Sequence, residues 1–170
     1  MVARNRIWNE LKQAKANILC LQRYTDNRRR NNRIYYACIA VVSSLGALVN
    51  SLWSDAAFTA TLIIAFVSIA KSVMPSFLQT EPELSELDKL SDFYSNYMNA
   101  IEKIWFDYDH EYVNEELTMK RFFEIKESEC SKQSLLNKGV RGISKSMQNK
   151  IDNDAENYIN EVYFTINNDE

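Results

Sequence analysis

Glycine is scarce in this sequence, and its scarcity excludes one large group of nucleotide-binding proteins. The 170-residue chain has three glycines, Gly46, Gly139 and Gly142. Walker-type and dinucleotide-binding loops need several glycines at short fixed spacings, because their backbone must approach a phosphate closely. The G-x-S-x-G motif that presents a nucleophilic serine is missing as well. We therefore expect neither a glycine-rich phosphate site nor a hydrolase of that type.

Cysteine and histidine are also few, which argues against a metal centre. The cysteines are odd in number and form no C-x-x-C pair, so neither a disulfide framework nor a zinc site is indicated. They are Cys20, Cys38 and Cys130. The single histidine, His110, lies near Asp107 and Glu111 at helical spacings that suit metal ligands or a general base. We favour a solvated acidic face, and we expect no metal, no cofactor and no enzymatic activity.

What the sequence does contain is a sharp division of charge. Residues 1–33 carry nine Lys/Arg against two Asp/Glu, residues 34–70 carry only Asp55, and residues 71–170 carry eleven against twenty. The three parts have net charges of +7, −1 and −9. A basic arm of this kind indicates a membrane or a polyanion as partner. Nucleic acid is not expected, because the arginines directly adjoin an apolar span.

The uncharged middle favours the membrane. Residues 34–53 have no formal charge and, as a helix, would extend about 30 Å, the thickness of a bilayer core. After Ser54 and Asp55 a second apolar run covers residues 56–78, interrupted by Lys71, whose ammonium can extend to the headgroups. The sequence thus predicts a transmembrane hairpin at 34–79, although a buried hairpin of a soluble protein has a similar pattern.

The residues that flank the spans predict an orientation. Four arginines stand directly before the first span, and by the positive-inside rule they place both termini in the cytoplasm. These topology residues are Arg28, Arg29, Arg30 and Arg33. Tyr35, Tyr36 and Trp53 stand at the two ends of the first span, where aromatic rings prefer the interface. We therefore expect a protein of the inner cell membrane with the Ser54-Asp55 turn outside.

Small residues recur along both spans at helical spacings. The lines are Ala37, Ala40, Ser44, Ala47 and Ser51 in the first span, and Ala57, Thr61, Ala65, Ser68 and Ser72 in the second. Small side chains allow close helix approach in lipid, either within the hairpin or between copies around a polar path. Candidates to meet water in such a path are Ser43, Asn50, Ser68 and Lys71.

The remaining segments predict helices, so the fold class is an all-α membrane protein. Residues 1–33 form a basic amphipathic helix with an apolar stripe, which would lie on lipid or pack on another helix. Residues 80–170 form a cytosolic helical region, whose long helix begins at the Thr80 cap and emerges nearly continuously from the second span. The tail "VYFTI" is either the end of a last helix or a short strand.

The long cytosolic helix carries an apolar and aromatic stripe that is too wide for one short partner within the chain. Its residues are Tyr94, Met98, Ile101, Trp105 and Tyr108. We interpret this stripe as an oligomerisation surface, so the chain is expected to form a homo-oligomer.

Two stretches of the sequence accompany the predicted spans. They are "WNELKQAKANILCLQRYTDNRRRNNRIYYACIAVVSSLGALV" and "LSELDKLSDFYSNYMNAIEKIW". Together with the two spans, they resemble the SLATT domain family. That family consists of two-transmembrane effectors of bacterial anti-phage conflict systems. The resemblance implies a pore-forming effector of abortive infection that acts beside a nucleotide-second-messenger synthase or another sensor protein. No fused sensor domain is present in this sequence, so the trigger would be a nucleotide signal or a separate protein.

The sequence therefore predicts a membrane effector that oligomerises and permeabilises the inner membrane in antiviral defence. Two alternatives stay open. One is a membrane-anchored helical scaffold that recruits a partner through the stripe of residues 94–112, and the other is a soluble helical bundle.

The charge boundary generates a test of topology. Replacing Arg28, Arg29, Arg30 and Arg33 by Gln should give a mixed orientation, because the basic residues nearest a span dominate its insertion. The measurement is labelling of a Ser54→Cys variant by a membrane-impermeant thiol reagent added from the periplasmic side. Unchanged labelling after the four substitutions would show that the arginines have another role.

Overall fold

The protein is all-α in the computed structural model, which describes residues 2–52, 57–74 and 78–164; side chains at 2, 45–52, 57, 59, 60 and 164 are outside the description. The described residues form five helices. They are α1 (Val2–Leu52), α2 (Ala57–Val73), α3 (Glu81–Asp109), α4 (Glu115–Gly139) and α5 (Lys145–Phe164). The chain divides into unit 1, Met1–Tyr24 with Ser85–Glu170, and unit 2, Thr25–Leu84.

Helix α1 joins two segments that the sequence analysis had separated. The predicted boundary between the basic arm and the first span, at residues 33 and 34, is not a break, because the helix runs from Val2 to Leu52. No proline and no glycine occurs before Gly46, so nothing in this segment interrupts the backbone hydrogen bonds.

The two predicted spans correspond to the second part of α1 and to α2. Helix α2 has 17 residues, Ala57–Val73, so it begins near the predicted start and ends before the predicted end at residue 78. The Ser54-Asp55 turn lies outside the described residues. Within the part of the chain that the structure describes, no helix combines the length and the apolar character that crossing a membrane requires.

The expectation that α3 emerges nearly continuously from the second span was wrong. Residues 78–80 are not helical, and α3 begins afresh at Glu81. The reason is a local cap, because the Thr80 backbone N–H donates to Glu83 Oε2 at 2.8 Å and the Thr80 hydroxyl donates to the same oxygen at 3.0 Å. The predicted Thr80 start, with Pro82 in the first turn, is confirmed.

The core of unit 1 is formed by the apolar faces of α1, α3, α4 and α5. The α1 stripe is almost fully buried, as are two large α3 side chains, Tyr94 and Ile101, at 0% exposure. Trp8 of α1 lies with its ring centroid 5.3 Å from that of Trp105 on α3, and Tyr163 of α5 packs edge-on against both rings. The buried α1 residues are Ile7, Leu11, Ala14, Ile18 and Leu21. The predicted amphipathic arm therefore packs on other helices of the same chain.

This packing removes the argument for an oligomerisation surface on α3. Tyr94, Met98, Ile101 and Trp105 are at most 8% exposed within a single chain, and Tyr108 is half-buried. The stripe is wide because several helices of unit 1 cover it, which the sequence argument did not consider. A homo-oligomer stays a prediction, but this stripe does not require one.

Helix α4 continues to Gly139. Its last turn is anchored by Leu136, which is 9% exposed. A Cβ at Gly139 would lie 2.4 Å from Leu87 Cδ2, so the absence of a side chain allows the end of α4 to approach α3. In the tail, α5 continues as helix through Phe164, so a strand over residues 162–164 is wrong; residues 165 and 166 lie outside the described residues.

Helix α3 ends in a Schellman motif whose key position holds glutamate. Tyr112 N–H donates to the Asp107 carbonyl at 3.0 Å and Glu111 N–H to the Tyr108 carbonyl at 3.1 Å. Glu111 adopts φ 57°, the left-handed region that glycine prefers. The backbone thus carries strain at one defined residue.

Glu111→Gly should raise the free energy of unfolding by up to about 1 kcal/mol, because the left-handed conformation costs glycine nothing. The same substitution at Glu124, exposed in the middle of α4, should lower it by about 1 kcal/mol. Chemical unfolding followed by circular dichroism measures both. Destabilisation by both variants would contradict the assignment of strain to Glu111.

Candidate functional site

The first candidate site is the hairpin of unit 2, where α1 and α2 meet through a narrow set of contacts. The Tyr35 hydroxyl donates to the Ala70 carbonyl at 2.8 Å, and Asn32 Nδ2 donates to the Gln79 carbonyl at 2.9 Å. Val67 on α2 is 7% exposed. These polar ties lie near the last residues of α2 and the start of the following connection. They fix which face of α2 is turned towards α1.

The small-residue lines do not form this contact. The described members of the first line, Ala37, Ala40 and Ser44, are exposed, and so are Thr61, Ala65 and Ser68 of the second. Packing of the two lines, within the hairpin or between copies, stays a prediction. The side chains of Ala47 and Asn50 lie outside the described residues. Lys71 is exposed.

Two serines of the small-residue lines have their hydroxyl protons engaged within their own helices. Ser44 Oγ donates to the Ala40 carbonyl at 2.9 Å, and Ser68 Oγ donates to the Ile64 carbonyl at 2.8 Å. Serine in this arrangement can face an apolar medium, because its donor is satisfied. Ser43 Oγ is buried and makes no hydrogen bond with a described residue. The two bonded hydroxyls are thus suited to an apolar surrounding more than to the lining of a water path.

The other surface of the hairpin is apolar and exposed. On α2, Phe58 is 75% exposed, Phe66 73%, Ile69 62% and Leu62 55%. On α1, Val41 is 58% exposed. Most of the exposed large apolar side chains among the described residues fall between residues 34 and 74. A surface of this kind on a folded chain marks contact with lipid or with another protein.

The four arginines of the predicted topology signal lie on α1, directly before this apolar surface. Arg29 Nε is 3.3 Å from Glu81 Oε2, and Arg30 donates to Asn27 Oδ1 at 2.9 Å. Arg30 and Arg33 are exposed, whereas Arg28 is half-buried. The basic cluster is therefore well placed to meet an anionic surface.

A second candidate is a polar cluster inside unit 1, formed by Glu10, Tyr94, Tyr97, Lys126 and Glu129. The Tyr94 hydroxyl donates to Glu129 Oε1 at 3.0 Å, and the Tyr97 hydroxyl donates to Glu10 Oε1 at 2.9 Å. Lys126 Nζ forms an ion pair with the other oxygen of Glu10. The cluster joins α1, α3 and α4 by charge-assisted hydrogen bonds.

Burial makes the cluster sensitive to ionisation. Glu129 is 4% exposed. Burial, followed by the neighbouring Glu129 carboxylate, raises the pKa of Tyr94 well above its ordinary value, and burial with Glu10 does the same for the pKa of Tyr97. Both phenols are thereby held in the neutral form that donates to a carboxylate.

The sequence analysis missed this cluster, although a signal was present. On α4, Phe122, Glu129 and Leu136 follow one another at intervals of seven and are all buried, so the glutamate occupies an apolar line. Glu10 similarly stands between the buried Ile7 and Ala14 of α1. An acidic residue on an apolar helical face predicts a buried polar contact. Its partners, however, come from distant parts of the chain.

The acidic group around His110 has contacts of its own. His110 Nδ1 lies 3.0 Å from the Phe106 carbonyl oxygen, and Asp107 pairs with Arg121 at 3.4 Å. His110 is exposed. Across the described residues, no three histidine, cysteine or acidic side chains are grouped to hold a metal ion.

Comparison of the chain with protein-family models, with curated proteins and with solved structures found no match.

The polar cluster predicts a loss of stability at high pH. Tyrosine in the unfolded chain ionises at about pH 10, whereas folded Tyr94 keeps its proton to higher pH. The unfolded state therefore releases protons first, and the free energy of unfolding should fall as the pH rises above about 10. Tyr94→Phe should reduce this alkaline fall, as measured by urea unfolding from pH 8 to 11.

Tyr112→Phe is the matched control, since its side chain is 69% exposed. It should keep the wild-type profile. An unchanged profile for Tyr94→Phe would contradict the proposed link between the buried phenol and stability.

Proposed function

We propose that the hairpin of residues 34–78 enters a lipid bilayer and that the protein is a membrane effector, which assembles from several copies and permeabilises the inner membrane. The observation that carries the first step is the exposed apolar surface of α2. Its six exposed large apolar residues after Ala57 and before Ala70 are distributed around the helix. They are Phe58, Leu62, Ile63, Ile64, Phe66 and Ile69.

The distribution of these residues favours lipid over a protein partner. At about 100° per residue, Phe58, Leu62 and Ile69 lie on one side of α2. Ile63 and Ile64 lie on other sides of the same helix. A helix that docks on one protein surface is apolar along one stripe, whereas a helix in lipid is apolar all round. Val67 is the buried exception on α2, at 7% exposure.

Charge supports the same conclusion and gives an orientation. No formal charge occurs from Ile34 to Leu52, and Lys71 is the one charge in α2. The arginines at 28–30 and 33 stand at the membrane-proximal end of this segment. By the positive-inside rule, both termini lie in the cytoplasm.

The exposed small residues support assembly. Ala40, Ser44, Ala65 and Ser68 leave shallow surfaces on α1 and α2 that the hairpin contact does not use. Close approach of such surfaces drives helix association in lipid, where apolar burial gives little gain. With Ser44 and Ser68 bonded inside their helices, Lys71 and Asn50 are the polar groups proposed to line a path between copies.

The resemblance to the SLATT family supports the effector role in anti-phage defence and abortive infection. It also supplies the expected partners, a nucleotide-second-messenger synthase system or another sensor protein. A scaffold that recruits its partner through the α3 stripe has less support, because most of that stripe is buried.

Ala65→Leu should reduce membrane leakage in expressing cells, because the larger side chain holds neighbouring helices apart. A loss of about 1–2 kcal/mol in helix association corresponds to roughly tenfold weaker assembly. The measurement is membrane potential, read with a voltage-sensitive dye after induction. The protein should stay in the carbonate-resistant membrane fraction, since leucine is at least as apolar as alanine.

The matched control is Ile69→Leu, which keeps the volume of an exposed α2 side chain and should leave leakage unchanged. Recovery of the wild-type protein in the soluble fraction would overturn bilayer insertion. Wild-type leakage from a membrane-inserted Ala65→Leu variant would instead overturn assembly through the small-residue surface.

A further inference from the structure

A cleft in unit 1 has the features of a small-molecule site. It has a volume of about 250 Å³ and lies between α1 and the segment that joins α4 to α5. Its floor is apolar and buried, with Leu136 and Cys20 each 9% exposed. A cleft of this size has room for several waters or for one small ring compound.

The polar lining of the cleft consists almost entirely of carboxamides. They are Gln13 and Asn17 on α1, Asn137 on α4 and Gln148 on α5. Three of them are exposed at the rim, whereas Asn17 is 6% exposed. Among the described residues that line the cleft, none carries a formal charge.

Asn17 is the one largely buried side chain among these carboxamides. Its Oδ1 accepts a hydrogen bond from Gln13 Nε2 at 3.0 Å. Its amide nitrogen has two further donors, and no described residue accepts from them. A donor that no described residue engages, on a side chain that lines a cleft, is available to an acceptor on a ligand.

The far wall of the cleft is held in a defined position. Tyr24 Oη accepts from the Arg141 backbone N–H at 3.2 Å, and Val140 N–H donates to the Leu136 carbonyl at 2.9 Å. Gly142 takes φ 71°, which lets the connection turn away from α4. The cleft is therefore shaped by backbone contacts that do not depend on a ligand.

We propose that this cleft binds an uncharged heterocycle that has an N–H and a C=O group side by side. A carboxamide presents one donor and one acceptor in the complementary order, so it pairs with such an edge through two hydrogen bonds. Leu136, Val140 and Ile143 offer apolar contact for the ring. An anionic ligand is disfavoured because the lining holds no cation to pair with it.

The probes are uracil, a neutral ring with adjacent N–H and C=O groups, and orotate, the same ring with a carboxylate. Ligand-observed NMR on the full-length protein in detergent should show saturable uracil binding, at least tenfold tighter than orotate binding. Asn17→Leu should abolish the uracil signal, whereas Asn5→Leu, on the exposed side of α1, should retain it. Absence of uracil binding, or equal binding of orotate, overturns the proposal.

A second measurement uses the wild-type chain, so it does not depend on the folding of a variant. Cys20 lines the cleft, whereas Cys130 is exposed elsewhere on α4. Saturating uracil should slow alkylation of Cys20 by iodoacetamide at least severalfold, read by peptide mass spectrometry, and leave the rate at Cys130 unchanged. Equal rates at Cys20 with and without uracil would place any bound uracil outside the cleft and overturn the assignment.

Discussion

The burial of the α1 stripe is the interaction on which unit 1 depends. Ile7, Leu11 and Leu21 are each 0% exposed, and the α3 residues that share this core are equally enclosed. Removal of this much apolar surface from water is the main favourable contribution to folding. The ion pairs at the periphery, such as Lys12 with Glu156, contribute far less because both partners are partly solvated. They help instead to fix the position of α5 along α1.

Unit 2 is also helical, but its apolar side chains are distributed differently from those of unit 1. In unit 1, large apolar side chains are turned inwards and charges outwards; in unit 2, Phe58, Phe66 and Ile69 are turned outwards on a helix with one charge. A soluble environment does not stabilise that arrangement. This contrast supports the proposal that the hairpin meets lipid.

Much of the helical fold was predictable because each amphipathic helix repeats its pattern within a short segment. The Thr80 start of α3 and the apolar face around Ile101 both follow from local sequence. What covers that face could not be read in the same way, because Trp8 and Tyr163 come from opposite ends of the chain. For this reason the sequence analysis assigned the stripe to oligomerisation without considering cover from within the chain.

The candidate sites also differ in how far local sequence could predict them. The apolar surface of the hairpin was visible as a run of uncharged residues, whereas the Glu129 contact with Tyr94 joins positions 35 residues apart and the Glu10 contact with Tyr97 joins positions 87 apart. Helical spacing identifies an acidic residue on an otherwise apolar helical face, but it does not identify the hydrogen-bond partner of that residue. The break before α3 was missed although the Thr80 cap was predicted, because the sequence analysis did not take the bond from Thr80 N–H to Glu83 as competing with continuation of the second span.

The serines of the hairpin make this segment less polar towards its surroundings than its composition indicates. A residue-by-residue hydropathy sum treats each hydroxyl as though its proton had to be withdrawn from water without compensation. Because Ser44 and Ser68 already donate to carbonyls one turn earlier, most of that transfer cost is absent. Such residues behave towards hydrocarbon much as alanine does, while the carbonyl that accepts a second bond allows the helix to bend slightly. A segment can therefore be more compatible with the bilayer interior than its composition indicates, and curvature can be encoded without proline.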